Sequence, residues 1–183
     1  EFRDQVRTQE TWSFGTNAIW STDLGPVSNR VLVGYDRFTG DSFFKGRSLR
    51  GTEEVTPGLP SPLSLIDPQY GLSDSTTYDQ IPFRITDTEQ TRQGVYLLEE
   101  ATIGPIVAVG GVRYDRFKDT EGETAFKDSE ITWRAGLVYR VRDDVSLFGQ
   151  YATSFEPQGI GSQSELAGGP FAPTTGDIVE GGI

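Results

Sequence analysis

Apolar and polar residues alternate one by one along several stretches of this chain. Between Ile131 and Val141 the odd positions are all apolar, while most even positions are polar or glycine. A helix would scatter the apolar side chains around its girth, whereas a strand separates the two sets onto opposite faces. The pattern therefore predicts a long β-strand with one apolar face, formed by Ile131, Trp133, Ala135, Leu137, Tyr139 and Val141.

Similar segments recur along the chain and predict an antiparallel sheet of six strands with the start of a seventh at Ile178. Alternation is clear in 12–21, 27–36, 106–114 and 145–155, whereas the parity of 91–100 is ambiguous because Val95 to Leu98 are all apolar or aromatic. Tight turns at 23–26, 102–105 and 142–144 alternate with longer connections at 48–84, 118–128 and 156–176. Short turns on one side and long loops on the other are typical of bacterial outer-membrane β-barrels. The predicted fold class is an all-β, antiparallel transmembrane β-barrel segment.

Aromatic residues fall at one membrane thickness from the tight turns. A tilted barrel strand crosses the apolar band in about 9–11 residues, and nine residues separate Pro26 from Tyr35, and likewise Pro105 from Tyr114. Amphipathic rings prefer the membrane–water interface. We therefore expect two aromatic belts, formed by Trp20 and Tyr139 beside the turns and by Tyr35, Tyr114 and Trp133 at the far side. The alternative is a soluble β-sandwich with these rings in its core.

A short repeat ends two of the predicted strands, as Tyr35-Asp36-Arg37-Phe38 and Tyr114-Asp115-Arg116-Phe117. Arg37 and Arg116 would stand just beyond the far belt on the lipid side, where guanidinium groups suit the phosphates of lipopolysaccharide. The alternative is that both arginines are simply solvated. The opposite face would line the barrel lumen with a hydrated ion-pair network of Arg30, Asp36, Arg113, Asp115, Arg134 and Arg140.

Composition limits the function classes open to the 183 residues. The formal net charge of −11 argues against a nucleic-acid partner, because binding phosphodiesters requires a basic face. The chain contains no Cys and no His, so thiolate metal sites and ordinary catalytic triads are excluded. We therefore expect no enzyme activity, no cofactor and no metal site.

Five motifs together resemble barrel strands of TonB-dependent siderophore receptors. These are 91–97 (TRQGVYL), 110–115 (GGVRYD), 134–139 (RAGLVY), 145–157 (VSLFGQYATSFEP), and the pair 173–176 and 180–183. Their order and spacing agree over about residues 88–183, and residues 1–47 agree more loosely. Any one motif is weakly specific, whereas five in sequence are fairly specific.

The resemblance implies active import of a ferric siderophore across the outer membrane of a Gram-negative bacterium. Such receptors have a 22-stranded barrel closed by a plug, which the TonB-ExbB-ExbD complex drives. Residues 1–183 would be a partial barrel domain with the plug region missing, a fragment not competent alone. The alternatives from the residues are a passive outer-membrane porin or a small outer-membrane barrel adhesin.

Ligand contacts in such a receptor are expected from the long outer connections. The 48–84 connection carries Tyr70, Tyr78, Phe83 and Arg84. Aromatic rings can flank a ferric siderophore, and Arg can meet its anionic oxygens. The alternative is that these rings pack the loop against itself.

Overall fold

The computed structural model describes residues 2–49, 64–70, 79–160, 163, 168–169 and 171–183 of the chain. Seven β-strands follow one another in a single sheet whose spatial order equals the chain order. Among the described residues there is no helix long and apolar enough to cross a membrane. The strands are β1 (Phe2–Leu24), β2 (Val27–Leu49), β3 (Arg84–Ile103), β4 (Ile106–Glu121), β5 (Thr124–Arg142), β6 (Val145–Glu156) and β7 (Thr174–Gly182).

The predicted all-β antiparallel class is confirmed, but several predicted boundaries were wrong. The 118–128 connection does not exist as a loop, because β4 continues to Glu121 and β5 begins at Thr124. Paired residues run without a break from Ile106 opposite Tyr139 to Glu121 opposite Thr124. The seventh strand begins at Thr174 and not at Ile178. The strands extend well past the alternating segments that revealed them.

The predicted tight turns are confirmed as two-residue connections, with Gly first in two of them. Gly25 and Gly104 have φ values of 64° and 54°, and each precedes a Pro. Positive φ at the first central residue is the geometry that joins antiparallel strands without splaying them, and Gly adopts it without a steric penalty. These turns fix the register of the hairpins on either side.

The sheet has an apolar face and a polar face along β4 and β5. The apolar face carries Tyr114, Trp133, Leu137 and Tyr139, and the polar face carries Arg113, Asp115, Thr132 and Arg134. Trp133 and Leu137 are 47% and 51% exposed, and only Ile81 and Phe117 are buried among the described apolar residues. A soluble sandwich would bury such side chains in a core. The β-sandwich alternative is therefore wrong.

The ambiguous parity of β3 is settled by its contacts. The hydroxyl of Tyr35, on the apolar face, lies 3.4 Å from Gln93 Oε1. The ring of Tyr96 instead lies beneath the Arg113 guanidinium on the polar face, with 5.4 Å between Cζ and the ring centroid. Odd positions of β3 therefore lie on the apolar face, and even positions lie on the polar face.

The chain divides into two compact units. The first comprises Glu1–Glu10 and Asp41–Thr88, and the second comprises Thr11–Gly40 and Glu89–Ile183. The second unit contains the tight turns and the alternating segments.

Candidate functional site

A single arginine joins two strands on the polar face of the second unit. The Nη1 and Nη2 atoms of Arg113 on β4 donate to the two carboxylate oxygens of Asp36 on β2, at 2.6 and 2.8 Å. Its Nε donates to both oxygens of Asp115, at 2.9 and 2.8 Å, and Nη2 donates to Asp115 Oδ1 at 2.6 Å. Such forked, charge-assisted hydrogen bonds combine strength with fixed geometry. This group, Arg113 with Asp36 and Asp115, is called the arginine clamp.

The clamp has to reach across β3, which lies between β2 and β4 in the sheet. Gly94 on β3 makes this possible, because a Cβ there would overlap the guanidinium of Arg113. Gly34 on β2 has the same role for Tyr96, whose ring occupies the space that a Cβ would need. The lack of a side chain at Gly94 and Gly34 thus leaves room for Arg113 and for the Tyr96 ring beneath it.

The four-residue repeat has a structural explanation in this arrangement. Its second residues, Asp36 and Asp115, are the two carboxylates of the arginine clamp. Its third residues, Arg37 and Arg116, line one groove on the apolar face. Each copy therefore places a carboxylate on one face and a cation on the other, as alternation along a strand requires.

The groove on the apolar face holds about 630 Å³ and is lined by residues of β2 to β5. It is called the basic groove, because its lining includes Arg37, Arg116, Lys118 and Lys127. Thr91, Gln93 and Tyr114 also line it. The structure thus brings together both arginines predicted to contact lipopolysaccharide and adds two lysines that the sequence reasoning missed. Lys118 and Lys127 fell in the segment 118–128 that was taken for a loop.

The five residues predicted to form aromatic belts lie on strands of the second unit. Trp20 is 72% exposed, and Tyr114, Trp133 and Tyr139 are also open to the surroundings. Tyr35 is half-buried, with its ring centroid 6.5 Å from that of Phe14. The assignment of these rings to membrane interfaces stays a prediction.

A second groove, of about 390 Å³, lies in the first unit. The ring of Phe44 lines this groove, and Cζ of Arg7 lies 5.6 Å from the centroid of that ring. The groove thus combines an aromatic wall with fixed positive charge, which suits an anionic ligand. It is called the loop-side groove, and its lining includes Arg3, Gln5, Phe44, Gly46, Arg47 and Arg84.

The four predicted ligand residues are not all brought together. Arg84 lines the loop-side groove. Phe83 instead lies against two cations, with Lys45 Nζ and Arg47 Cζ each 4.4 Å from the centroid of its ring. Tyr70 is 79% exposed, and Tyr78 lies outside the described residues. The ligand role of all four stays a prediction.

One of the two cations beside Phe83, Arg47, is itself held by two acids. Arg47 donates from Nε to Asp4 Oδ2 at 3.0 Å and from Nη2 to Asp79 Oδ1 at 3.2 Å. The side chain of Arg47 is largely buried. No local sequence pattern predicts these ion pairs, because Arg47 lies 43 residues from Asp4 and 32 residues from Asp79.

Asp119, at the far end of β4, is the one described polar residue whose carboxylate is wholly buried, at 1% exposure. Neither of its oxygens accepts a hydrogen bond from any other residue that the structure describes. Burial raises the pKa of Asp119, and the positive charge of Arg92 opposes that rise. Below Asp119 on the same face, Phe117 packs between Phe126 and Phe155, with centroids 6.1 Å away in both cases.

Comparison with known families gives a match over nearly the whole chain. The family described as "TonB dependent receptor-like, beta-barrel" matches residues 2–183.

Within the described residues there is no group of three or more His, Cys, Asp or Glu placed to hold a metal ion.

Individual relatives match in sequence and in fold. The "Ferrichrome outer membrane transporter/phage receptor" of Escherichia coli K12 is 34% identical over 109 residues, covering 56% of this chain and 14% of that protein. FpvA of Pseudomonas aeruginosa, solved with iron and a heterologous pyoverdine, superposes with a TM-score of 0.74 at 15% identity, covering 98% of this chain and 23% of FpvA. BauA, the ferric preacinetobactin receptor of Acinetobacter baumannii, superposes with a TM-score of 0.69 at 15% identity, covering 98% of this chain and 27% of BauA. The chain spans about a seventh to a quarter of the length of these relatives.

Proposed function

We propose that this chain, which belongs to the TonB-dependent receptor-like β-barrel family, forms part of the barrel wall of a receptor that imports a ferric siderophore. The chain lies in the outer membrane of a Gram-negative bacterium. The observation that carries the proposal is the family match over residues 2–183. The exposed apolar face supports it, since lipid is the surrounding in which such a face is stable.

The names of the relatives support the substrate class. A ferrichrome transporter, a receptor solved with ferric pyoverdine and a ferric preacinetobactin receptor all take an iron–siderophore complex. The match also favours a receptor over a passive porin or an adhesin barrel. We further propose that the protein is not an enzyme and that uptake is driven through TonB, ExbB and ExbD acting on a plug region.

The loop-side groove is the surface that we propose for ligand contact. Ferric siderophores present anionic oxygens around the iron, and an arginine can meet two such oxygens at once. Arg3 and Arg84 line the groove beside the ring of Phe44. Aromatic walls with a few well-placed charges are typical of sites that bind small organic ligands.

Uptake of iron tests the proposed function directly. The protein, expressed from its natural gene in a strain lacking other siderophore receptors, is offered a panel of ⁵⁵Fe-loaded siderophores. Accumulation of at least one of them that ceases when TonB is deleted is the expected result. Accumulation that persists without TonB would support a passive porin, and uptake of none of them would refute the proposal.

Variants of the loop-side groove then test the contact surface. The substitution Arg84→Gln should weaken binding of the transported ferric siderophore by about tenfold, because a hydrogen bond to a charged group contributes about 1.5 kcal/mol. Arg142→Gln serves as control, because Arg142 is exposed beside a tight turn and is paired only loosely, at 3.9 Å, with Asp144. Equal affinities of the two variants would remove Arg84 from the ligand site without affecting the uptake result.

A further inference from the structure

The loop-side groove lies on a face of the first unit that is rich in arginine. On β1, Arg3, Gln5 and Arg7 occupy alternate positions and therefore share one face. Arg3 and Gln5 line the groove. Arg7 reaches the same groove, because its guanidinium carbon lies 5.6 Å from the ring centroid of Phe44, another lining residue. Arg84, at the start of β3, adds a further guanidinium to this face.

The carboxylates of the same strand segments lie on the other face. They occupy the intervening positions of each strand, so their side chains point away from the groove. These carboxylates are those of Asp4, Glu10, Asp41 and Asp87. Among the described residues of β1, β2 and β3 in the first unit, the face of Arg3, Arg7 and Arg84 carries no carboxylate. Such a separation stands out in a chain whose net charge is −11.

Arg47 also lines the groove, but its charge is already matched. Its Nε donates to Asp4 Oδ2 at 3.0 Å, and its Nη2 donates to Asp79 Oδ1 at 3.2 Å. Arg7 and Arg84 differ from it, because neither forms an ion pair with another residue that the structure describes. Both side chains are exposed. Their positive charge is therefore available to a ligand in the groove.

The ring of Phe44 gives these cations a fixed apolar wall. A Cβ at Gly46 would overlap the ring, so the lack of a side chain there leaves room for it against the strand. The ring is half-buried, and its face attracts the guanidinium of Arg7. An apolar wall displaces water, and electrostatic attraction grows as the local dielectric constant falls. The groove is thus built to attract an anion more strongly than a neutral molecule of the same size.

The net charge of a ferric siderophore depends on its donor groups. Three hydroxamates carry one negative charge each, so together they neutralise Fe³⁺ and form a neutral complex. Catecholates and α-hydroxycarboxylates carry two negative charges each when they bind iron, and their complexes keep a net negative charge. Arginine recognises such oxygens well, because its planar guanidinium binds two of them at once and is only weakly hydrated.

On the basis of the proposed uptake of a ferric siderophore, we propose that the loop-side groove selects a ferric complex with net negative charge over a neutral trihydroxamate complex. Arg7 and Arg84 bind the anionic oxygens of the complex from neighbouring sides of the groove. Phe44 packs against its organic part. Catecholate and hydroxycarboxylate complexes share the required chemistry, and the test below distinguishes them.

Binding of ⁵⁵Fe complexes to the full-length receptor, purified in detergent, tests the proposal. The two anionic probes are ferric citrate and a ferric triscatecholate, and the neutral probe is ferrichrome. At least one anionic complex should bind about tenfold or more tightly than ferrichrome, and which of the two binds identifies the donor class. Its affinity should fall as NaCl is added, because salt screens exposed charges. The affinity for ferrichrome should not respond to salt.

Variants locate the selectivity in the groove. Arg7→Gln and Arg84→Gln should each weaken binding of the anionic complex about tenfold, the effect of losing one hydrogen bond to a charged group. The double variant R7Q/R84Q should lose about a hundredfold, since the two residues lie on different strands and their effects should add. The charge-conserving R7K/R84K should keep most of the preference. Lys45→Gln is the matched control, because it removes one positive charge from the opposite face of the same unit.

Equal or tighter binding of ferrichrome than of both anionic complexes overturns the proposal, although TonB-dependent uptake of ferrichrome would still support the proposed function. The proposal is also overturned if R7Q/R84Q keeps the native ratio of anionic to neutral affinity, or if Lys45→Gln lowers that ratio as much as Arg7→Gln does. The salt dependence of the native receptor tests the same claim without any variant. An affinity for the anionic complex that is independent of salt would refute it.

Discussion

Removing the arginine of the clamp should measurably destabilise the sheet. The substitution Arg113→Gln keeps much of the side-chain volume but deletes the charge and leaves Asp36 and Asp115 facing each other. Five hydrogen bonds between charged groups are lost. Two carboxylates on one face without their shared cation also repel each other.

The size of the effect follows from the exposure of the three side chains. Arg113 is 35% exposed, Asp36 42% and Asp115 15%. Breaking a fully buried pair costs about 3–5 kcal/mol, and an exposed pair contributes about 0–1 kcal/mol, so this half-exposed cluster should contribute about 2 kcal/mol. That amounts to a change of about thirtyfold in the folding equilibrium.

Urea unfolding of the protein in detergent micelles, followed by electrophoretic mobility without heating, measures this change. Arg134→Gln is the matched control, because Arg134 lies on the same face of the neighbouring strand and forms no ion pair with another described residue. The reasoning is refuted if both variants unfold at the same urea concentration. Adding D36N and D115N to Arg113→Gln should restore part of the lost stability, since no unpaired charge then remains.

Two further substitutions test local packing and burial. Gly34→Ala should destabilise the protein by about 1–3 kcal/mol, because the added methyl group overlaps the ring of Tyr96. The control Gly110→Ala should be near neutral, because nothing lies within 4 Å of the new Cβ. Equal unfolding midpoints of the two variants would contradict the packing argument. Asp119→Asn should raise stability at pH 7. Burial raises the folded-state pKa of Asp119 above its unfolded value. The native carboxyl therefore stabilises the fold below the unfolded pKa and loses that contribution as pH rises through the folded pKa. The advantage of the Asn variant over the native protein should therefore shrink from pH 7 towards pH 4 in unfolding experiments, and a constant difference would show that Asp119 is not desolvated.

The sequence predicted the strands where lipid imposes a pattern and missed them elsewhere. Between the tight turns and the far aromatic residues, one face meets hydrocarbon and the other meets water, so apolar and polar residues alternate. Beyond Tyr114 both faces are polar apart from Phe117, and the alternation vanishes although β4 continues to Glu121. The hairpin is closed there by Gly122, at a φ of 57°, followed by Glu123. A Gly between two glutamates was a turn signal that the long-loop interpretation overlooked.

The residues of the candidate sites were likewise predictable only where a local sequence pattern marks them. The positions of Arg37 and Arg116 on the apolar face could be predicted because each follows an aromatic residue by two positions on an alternating strand. Lys118 and Lys127 could not, since their pairing depends on the continued hairpin. The arginine clamp was foreseen only as a general network of lumen residues. Arg113 and Asp36 are 77 residues apart in the chain, and no local sequence pattern identifies such a pair.

The apolar face tests the whole account most directly, because both the membrane location and the proposed transport depend on it. Nitroxide labels attached to single cysteines along β5, in the protein reconstituted into bilayers, report access to oxygen, which concentrates in lipid, and to a water-soluble nickel complex. Labels at Leu137 and Tyr139 should be accessible to oxygen and protected from nickel, and labels at Thr132 and Arg134 should show the reverse. An accessibility profile without this two-residue alternation, or with the opposite phase, would contradict the account.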